Sequence, residues 1–430
     1  MLVPSGRVLS CRLAHPTTLA RGDRTRHAAQ MKPHLKAAIT YLARENYRTS
    51  RRLFGIRQAD RLFHMYAIGK TGTGKSTLLE TLIWQDICAG RGLCLIDPHG
   101  DLVMRIAASV PASRAGNLLY VNMPDPTQPF GYNPLRKVRP DLIPLAASGI
   151  MEALKKHWAD AWGVRMEHVL RNAVYALLEM DDATLPDILR LLGDKTYRRT
   201  VARRITNSQV KEFWTHEFEQ YSYRYRADAI APVQNKVGAL LADPRLRRVF
   251  ADPLRPLRFR RLMDEQQILL VNLARGQVGE DTASLLGSLL VTTIGLAAFS
   301  RADTAEEDRL PFYLYLDEFQ NFTTLSVATM ISELRKYRVG LVLANQHLSQ
   351  LGDAVRDAVL GNVGTLISFR VGPQDAAVLA KEFVERFTPL DLVGLPNHHL
   401  YLRLMIDGAP SMPFSAMTVL PGDPAGGWGE

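Results

Sequence analysis

Two short runs of this 430-residue chain carry residue types that do phosphate chemistry. The first is Gly69-Lys70-Thr71-Gly72-Thr73-Gly74-Lys75-Ser76-Thr77, which satisfies the pattern G-x-x-x-x-G-K-[ST]. Gly69, Gly72 and Gly74 permit the backbone curl in which successive N–H groups converge on phosphate oxygens, and Lys70, Thr71, Thr73 and Thr77 complete the cradle. Lys75 reaches the β- and γ-phosphates of a triphosphate, and the Ser76 hydroxyl ligates Mg²⁺. A helix opening at this loop adds the positive end of its dipole beneath the phosphates.

The second run is Phe312-Tyr313-Leu314-Tyr315-Leu316-Asp317-Glu318, an apolar strand ending in two carboxylates. Asp317 suits Mg²⁺, directly or through its water, and Glu318 suits the general base that polarises an attacking water. A base beside the metal ligand favours hydrolysis over transfer to a second substrate. ATP and Mg²⁺ are therefore the expected ligands. Gln346, closing the run Gly340-Leu341-Val342-Leu343-Ala344-Asn345, can bond the γ-phosphate or the lytic water, although an amide there equally serves a turn. Arg335 lies in a basic stretch and suits an arginine finger reaching a neighbouring subunit's nucleotide, with Arg338 and Arg370 as rivals. Asp97 and His99, in Asp97-Pro98-His99-Gly100-Asp101, either sense nucleotide or simply make a turn.

These residues need elements to position them. Leu62 to Ile68 reads as a buried strand, and Thr77 to Trp84 has apolar residues at helical spacing, so the glycine loop sits between strand and helix. Further apolar runs at Gly92–Asp97, Asn117–Val121, Gln267–Leu273, Phe312–Leu316, Gly340–Ala344 and Gly364–Phe369 imply a mostly parallel sheet covered on both faces. Ligands of such sheets gather at the carboxyl ends of the strands. Residues 138–261 break the rhythm with helical patterns such as Val164 to Met180, and read as an inserted all-α domain. His398 to Val419 reads as a closing β-hairpin. The expected division is a basic arm at 1–58, a discontinuous ATPase core at 59–137 and 262–420, the insertion at 138–261, and a tail at 421–430.

Composition narrows the setting. A 47% hydrophobic, 22% charged chain is of globular type. Cys11, Cys88 and Cys94 form no C-x-x-C pair, which points to a reducing cytoplasm. Residues 1–62 hold thirteen Lys/Arg against three Asp/Glu, so they supply the whole net charge of +10. Such an arm suits nucleic acid or an anionic membrane surface, and Met31 is an alternative start. Leu285 to Phe299 is shorter than the roughly 20 residues a membrane helix needs, and reads as a buried core helix.

The motifs GKTGTGKST, IDPHGD, YLDEFQNF, LANQH and GNVGTLISFRVG follow one another at residues 69, 96, 315, 343 and 361. In this order they resemble the HerA–FtsK group of ring ATPases, and within it the TraG/TraD type of conjugative coupling protein. The resemblance implies a RecA-like P-loop fold, a hexameric ring, and ATP-driven movement of DNA through a central pore. It implies nucleotide and metal roles for Lys75, Ser76 and Asp317, the water role for Glu318, a sensor at Gln346 and a trans-acting finger at Arg335. Membrane-anchored relatives begin with hydrophobic spans, where this chain has a basic arm. The implied partners are therefore DNA, further copies of the chain, and a membrane secretion complex or relaxase-type protein, met in the cytoplasm or at the inner membrane face. A motor for protein secretion, a nucleotide-dependent switch or scaffold, and a small-molecule kinase are the competing readings.

Overall fold

Runs rich in Val, Ile, Leu and Tyr that alternate with helices bury both faces only inside a parallel sheet flanked on each side. A computed structural model of the chain describes residues 39–46, 51–251 and 253–420. Its main sheet has eleven strands. They are β1 (Ile39–Glu45), β2 (Leu53–Arg57), β3 (Met65–Ile68), β4 (Gly92–Asp97), β5 (Leu118–Asn122), β6 (Ile268–Asn272), β7 (Phe312–Leu316), β8 (Val339–Asn345), β9 (Thr365–Ser368), β10 (His399–Arg403) and β11 (Phe414–Thr418). The spatial order is β2-β1-β11-β10-β9-β3-β8-β7-β4-β6-β5. From β9 to β5 all pairings are parallel, and from β9 to β2 all are antiparallel.

Strands β3, β4, β6, β7, β8 and β9 are buried at every position, as their unbroken apolar runs require. β3 is shorter than the run Leu62–Ile68 suggests, because His64 takes a left-handed conformation (φ 66°) and breaks the extended chain. The hairpin expected near the carboxyl end is present as β10 and β11. Residues 39–45 and 53–57 correct the expectation of a basic arm reaching to residue 58: they are strands β1 and β2 of the sheet. Residues 1–38, 47–50 and 421–430, with Met31 and Cys11, lie outside the described residues.

The helices that matter for the site are α1 (Lys75–Cys88), α2 (Asp101–Ser109), α3 (Ile143–His157), α4 (Val164–Leu178), α5 (Pro186–Gly193), α6 (Lys195–Arg204), α7 (Tyr223–Ala242) and α8 (Glu280–Phe299). Helices α3 to α7 lie between β5 and β6 in the chain. The two stems of that excursion meet in a short parallel pairing of Phe130–Gly131 with Arg255–Pro256. Its apolar side chains, including Ile150 and Leu170, join Leu289 of α8 and Leu314 of β7 in one continuous core on one face of the sheet. On the other face Leu78, Leu82 and Ile83 of α1 pack against Tyr313, Tyr315 and Leu400.

The approach of α3 to α8 is close at Gly149, where an added Cβ would lie 2.4 Å from Thr292 Cγ2. α8 opens the one described segment long and apolar enough to cross a membrane, Glu280–Asp303, and 83% of its most apolar stretch is buried inside the protein.

A buried polar cluster fastens the antiparallel part of the sheet to the parallel part. Arg61 donates to both carboxylate oxygens of Asp86 on α1, at 2.6 and 2.9 Å, and to the Tyr315 hydroxyl at 2.7 Å. Its guanidinium lies 3.8 Å over the Tyr313 ring. Arg91 donates to the same Asp86 at 2.8 Å, and Thr40 of β1 accepts from Gln58, Arg61 and Arg91. Burial pushes the Asp86 carboxyl up, but the two arginines outweigh it and hold it below its ordinary value.

Candidate active site

Strand order does the assembling. β3, β8, β7 and β4 are consecutive neighbours in the sheet. Ile68 pairs with Asn345, and Leu316 pairs with both Leu343 and Ile96. Their carboxyl ends are therefore level, and the residues that follow them meet: the loop 69–76 after β3, Gln346 after β8, Asp317 and Glu318 after β7, and Asp97 at the tip of β4. Thr71, Gly72, Gly74, Lys75 and Ser76 of that loop, with Gln346, Asp317, Glu318, Asp97, His99, Arg105 and His398, line a cleft of about 430 Å³.

The phosphate loop has the backbone its glycines allow. Gly72 and Gly74 take φ values of 74° and 121°, where a side chain would be strained. Gly74 precedes the first residue of α1, so the loop feeds directly into a helix amino terminus. Thr73 donates through its hydroxyl to the Lys70 carbonyl at 2.7 Å, bracing the curl from inside. The loop is also held from β9, since the Lys70 N–H donates to the Arg370 carbonyl at 2.9 Å.

Lys75 is only 6% exposed, and its ammonium donates to the carbonyl of Gly69 and, at 3.2 Å, to that of Lys70. Burial lowers its pKa, and Glu318 and Asp317 oppose that shift by favouring the charged form. Ser76, beside it, is exposed to the cleft.

Asp317 and Glu318 are 8% and 6% exposed. Burial, then the neighbouring Asp97 and Glu318 charges, push the Asp317 carboxyl up to about 7, with Lys75 pulling the other way. Negative charge crowded beyond what one lysine neutralises is what a divalent cation relieves. No three described His, Cys, Asp or Glu side chains form a cage for a metal by themselves. Mg²⁺ suits such a place, since it takes one or two carboxylates and completes its shell with water and phosphate oxygens. The residues present fit a magnesium triphosphate.

Both oxygens of Glu318 are engaged. Gln346 Nε2 donates to Oε1 at 2.7 Å, and Gln320 Nε2 donates to Oε2 at 2.6 Å. Glu318 itself is left-handed, with φ 48°, which turns its side chain out of the strand direction. Asp97 has two tasks. It accepts the N–H of His99 at 2.8 Å and those of Leu102 and Val103 at 3.0 and 3.2 Å, which makes the turn into α2, and its charge raises the pKa of Asp317.

The arginines divide. Arg335 is exposed on the short turn that leads into β8, at the end of the strands opposite the phosphate loop, with its guanidinium 3.2 Å over the Phe63 ring. Arg338, left-handed at φ 54°, is at that same far end. Arg370 is beside the phosphate loop, and its side chain is occupied by the Leu395 carbonyl and Asn397 Oδ1.

Two participants carry no sequence signal. His398, left-handed at φ 66°, donates its N–H to the Thr73 carbonyl at 2.8 Å and walls the cleft opposite the carboxylates. It is more than 300 residues from the loop it touches, and nothing local marks it. Gln320 is two residues beyond Glu318 and reads as an ordinary polar residue until the turn at 319–321 folds it back.

Residues 311–385 match a family model described as the TraM recognition site of TraD and TraG. No curated protein matches the chain. The bacterial conjugative coupling protein TrwBdeltaN70, unbound, superposes with a TM-score of 0.61 at 14% identity, over 91% of each chain. Plasmid coupling protein TrwB in complex with ADP and Mg²⁺ gives 0.61 at 15% identity, covering 91% of this chain and 92% of that one. VirB4 of Thermoanaerobacter pseudethanolicus gives 0.59 at 13% identity, covering 90% and 97%. The architecture is thus the RecA-like P-loop α/β fold, with a mostly parallel sheet. The likeness to TraG/TraD-type coupling ATPases, drawn from the motifs, holds in the matched segment and in the fold.

Proposed function

We propose that a chain built on the coupling-protein fold and carrying this cleft is an ATP-hydrolysing motor that moves DNA through a ring of its own copies, most naturally a hexamer. The observation carrying this reading is the convergence of Lys75 and Ser76 with Asp317, Glu318 and Gln346 at one end of the sheet. ATP and Mg²⁺ are its ligands, as the complex of TrwB with ADP and Mg²⁺ supports.

In this mechanism the loop 69–77 cradles the phosphates through its N–H groups, while Lys75 leaves its own loop carbonyls for the β- and γ-phosphate oxygens. Ser76 and Asp317 would hold Mg²⁺, which would supply charge neutralisation at those oxygens. Glu318 accepts a proton from the attacking water, and Gln346 exchanges Glu318 for the γ-phosphate or that water. Arg335, facing away from its own nucleotide, completes a neighbouring subunit's site. Residues 138–261 form the helical domain inserted in the core of 59–137 and 262–420, and the basic amino-terminal residues bind DNA phosphates. The protein works in the cytoplasm and docks on a membrane secretion complex. The match at residues 311–385 supports contact with a TraM-like accessory protein through their exposed part.

The test is phosphate release with and without DNA. Turnover should rise on adding DNA, and Lys75→Ala and Glu318→Gln should each abolish it. An assembled ring whose turnover ignores DNA would redirect the reading to protein cargo. Turnover at background would redirect it to a switch.

A further inference from the structure

The turn that follows Glu318 is gripped by a residue of the helical insertion. Lys156, in the last turn of α3, donates its ammonium to the main-chain carbonyls of Gln320, Asn321 and Thr323 at 3.1, 3.1 and 3.0 Å. Three acceptors satisfy all three protons of an ammonium. Cations favour carbonyls left unpaired at the end of a helical turn, and residues 319–321 form such a turn.

The same turn is moulded to α8. Ser284 donates to the Asn321 carbonyl at 2.7 Å, and Phe322 fills the space over Gly287, where an added Cβ would come within 2.2 Å of its ring. The turn is held but not at rest. Gln320 Oε1 and Asn321 Nδ2 are buried without a hydrogen-bond partner, which is unfavourable for each group. The Gln320 amide therefore has one bond holding its orientation, the one it donates to Glu318 Oε2.

We propose that Lys156 is a positioning residue: by fixing the Gln320, Asn321 and Thr323 carbonyls it holds the Gln320 amide on Glu318, so that displacement of α3 releases the glutamate for hydrolysis. This deepens the ATPase reading and rests on it. The physical ground is geometric: a carboxylate whose two oxygens are each held by an amide N–H is not free to turn toward an attacking water. Nucleotide frees Oε1 by drawing Gln346 away, and movement of the insertion frees Oε2. The two events together permit turnover, which ties hydrolysis to whatever the insertion engages.

The experiment measures kcat and KM for ATP on the full chain, without DNA, for the wild type, Lys156→Met, Lys156→Arg, Gln320→Ala, the double variant Lys156→Met/Gln320→Ala, and Glu318→Gln. Lys156→Met and Gln320→Ala should each raise kcat at least about threefold, with KM within about twofold. The double variant should go no higher than the faster single one, because the two residues act in series. Lys156→Arg, which keeps the charge, should fall between Lys156→Met and the wild type. A loosened or partly unfolded protein does not gain turnover, and thermal melting of every variant identifies one that fails to fold. Should Lys156→Met lower kcat or leave it unchanged while Gln320→Ala raises it, Lys156 has no such role. Should both leave kcat unchanged, the restraint on Glu318 does not exist. Turnover that survives Glu318→Gln removes Glu318 as the base, whereas turnover at background in the wild type overturns the hydrolytic reading itself, so the failures are told apart.

Discussion

Gln346 and Glu318, 28 residues apart on neighbouring strands, meet through a 2.7 Å hydrogen bond from the amide to the carboxylate. The bond crosses from the tip of β8 to the tip of β7. It gives Glu318 a partner on the strand adjoining the one that feeds the phosphate loop.

Replacing that amide should act on rate more than on binding. Gln346→Ala is expected to lower kcat about tenfold or more, within the range of a lost transition-state hydrogen bond, while KM changes little. Gln346→Glu would replace that donor by a second carboxylate facing Glu318 and should lower kcat at least as far. Steady-state phosphate release reads both. A Gln346→Glu variant with wild-type kcat would remove this amide from the reaction.

In the proposed site, Asp317 should make magnesium binding pH-dependent. Its carboxyl is pushed up to about 7, chiefly by burial and then by Asp97 and Glu318, and metal must displace the proton. The Mg²⁺ concentration for half-maximal nucleotide binding should rise about tenfold per unit as pH falls below about 7, read by fluorescent-nucleotide titration at pH 6 and 8. In the metal-free protein the sign for stability is the reverse of the usual aspartate. Between 3.8 and about 7 the folded chain keeps a proton that the unfolded chain releases, so this group lowers stability as pH rises through that window.

His64 should make the fold acid-sensitive. It is buried and neutral, accepts the Leu341 N–H at Nδ1 (3.1 Å) and donates from Nε2 to the Ile331 carbonyl (2.8 Å). Burial lowers its pKa to about 4. Between about 6.5 and 4 the unfolded chain takes up the proton first, so stability falls as pH drops through that interval. His64→Asn, suited to the left-handed backbone there, should flatten this slope at a cost of about 1–3 kcal/mol at pH 7. Urea melts at pH 7 and 5 measure it.

Asp86 is the most consequential buried charge. Asp86→Ala strands Arg61 and Arg91 in the core and should cost about 3–5 kcal/mol, the expected price of an unpaired buried charge. The side-chain exposure of Arg61 and Asp86 is 0%, so no solvent screens the loss. Chemical denaturation should show this loss, whereas Arg57→Ala, whose partner Asp407 is exposed, should stay within about 1 kcal/mol.

Gly69 to Thr77, Asp317 with Glu318, and the parallel strands were legible in the sequence because each is specified by neighbours a few residues apart. A glycine loop between an apolar strand and a helix has few other uses, and strands buried on both faces leave unbroken apolar runs. β1 and β2 were hidden because their arginines dominate the local charge, while the residues that matter for pairing, Leu42, Ala43 and Ile56, are few. The sequence by itself thus determined which groups are proposed for the chemistry and that a parallel sheet presents them. Only the tertiary structure decided that β3, β8, β7 and β4 stand side by side, that His398 walls the cleft, that Arg335 faces away from it, and that Lys156 grips the turn behind Glu318. Those relationships join residues tens to hundreds of positions apart, and strand order and helix packing, which no local spacing encodes, set them.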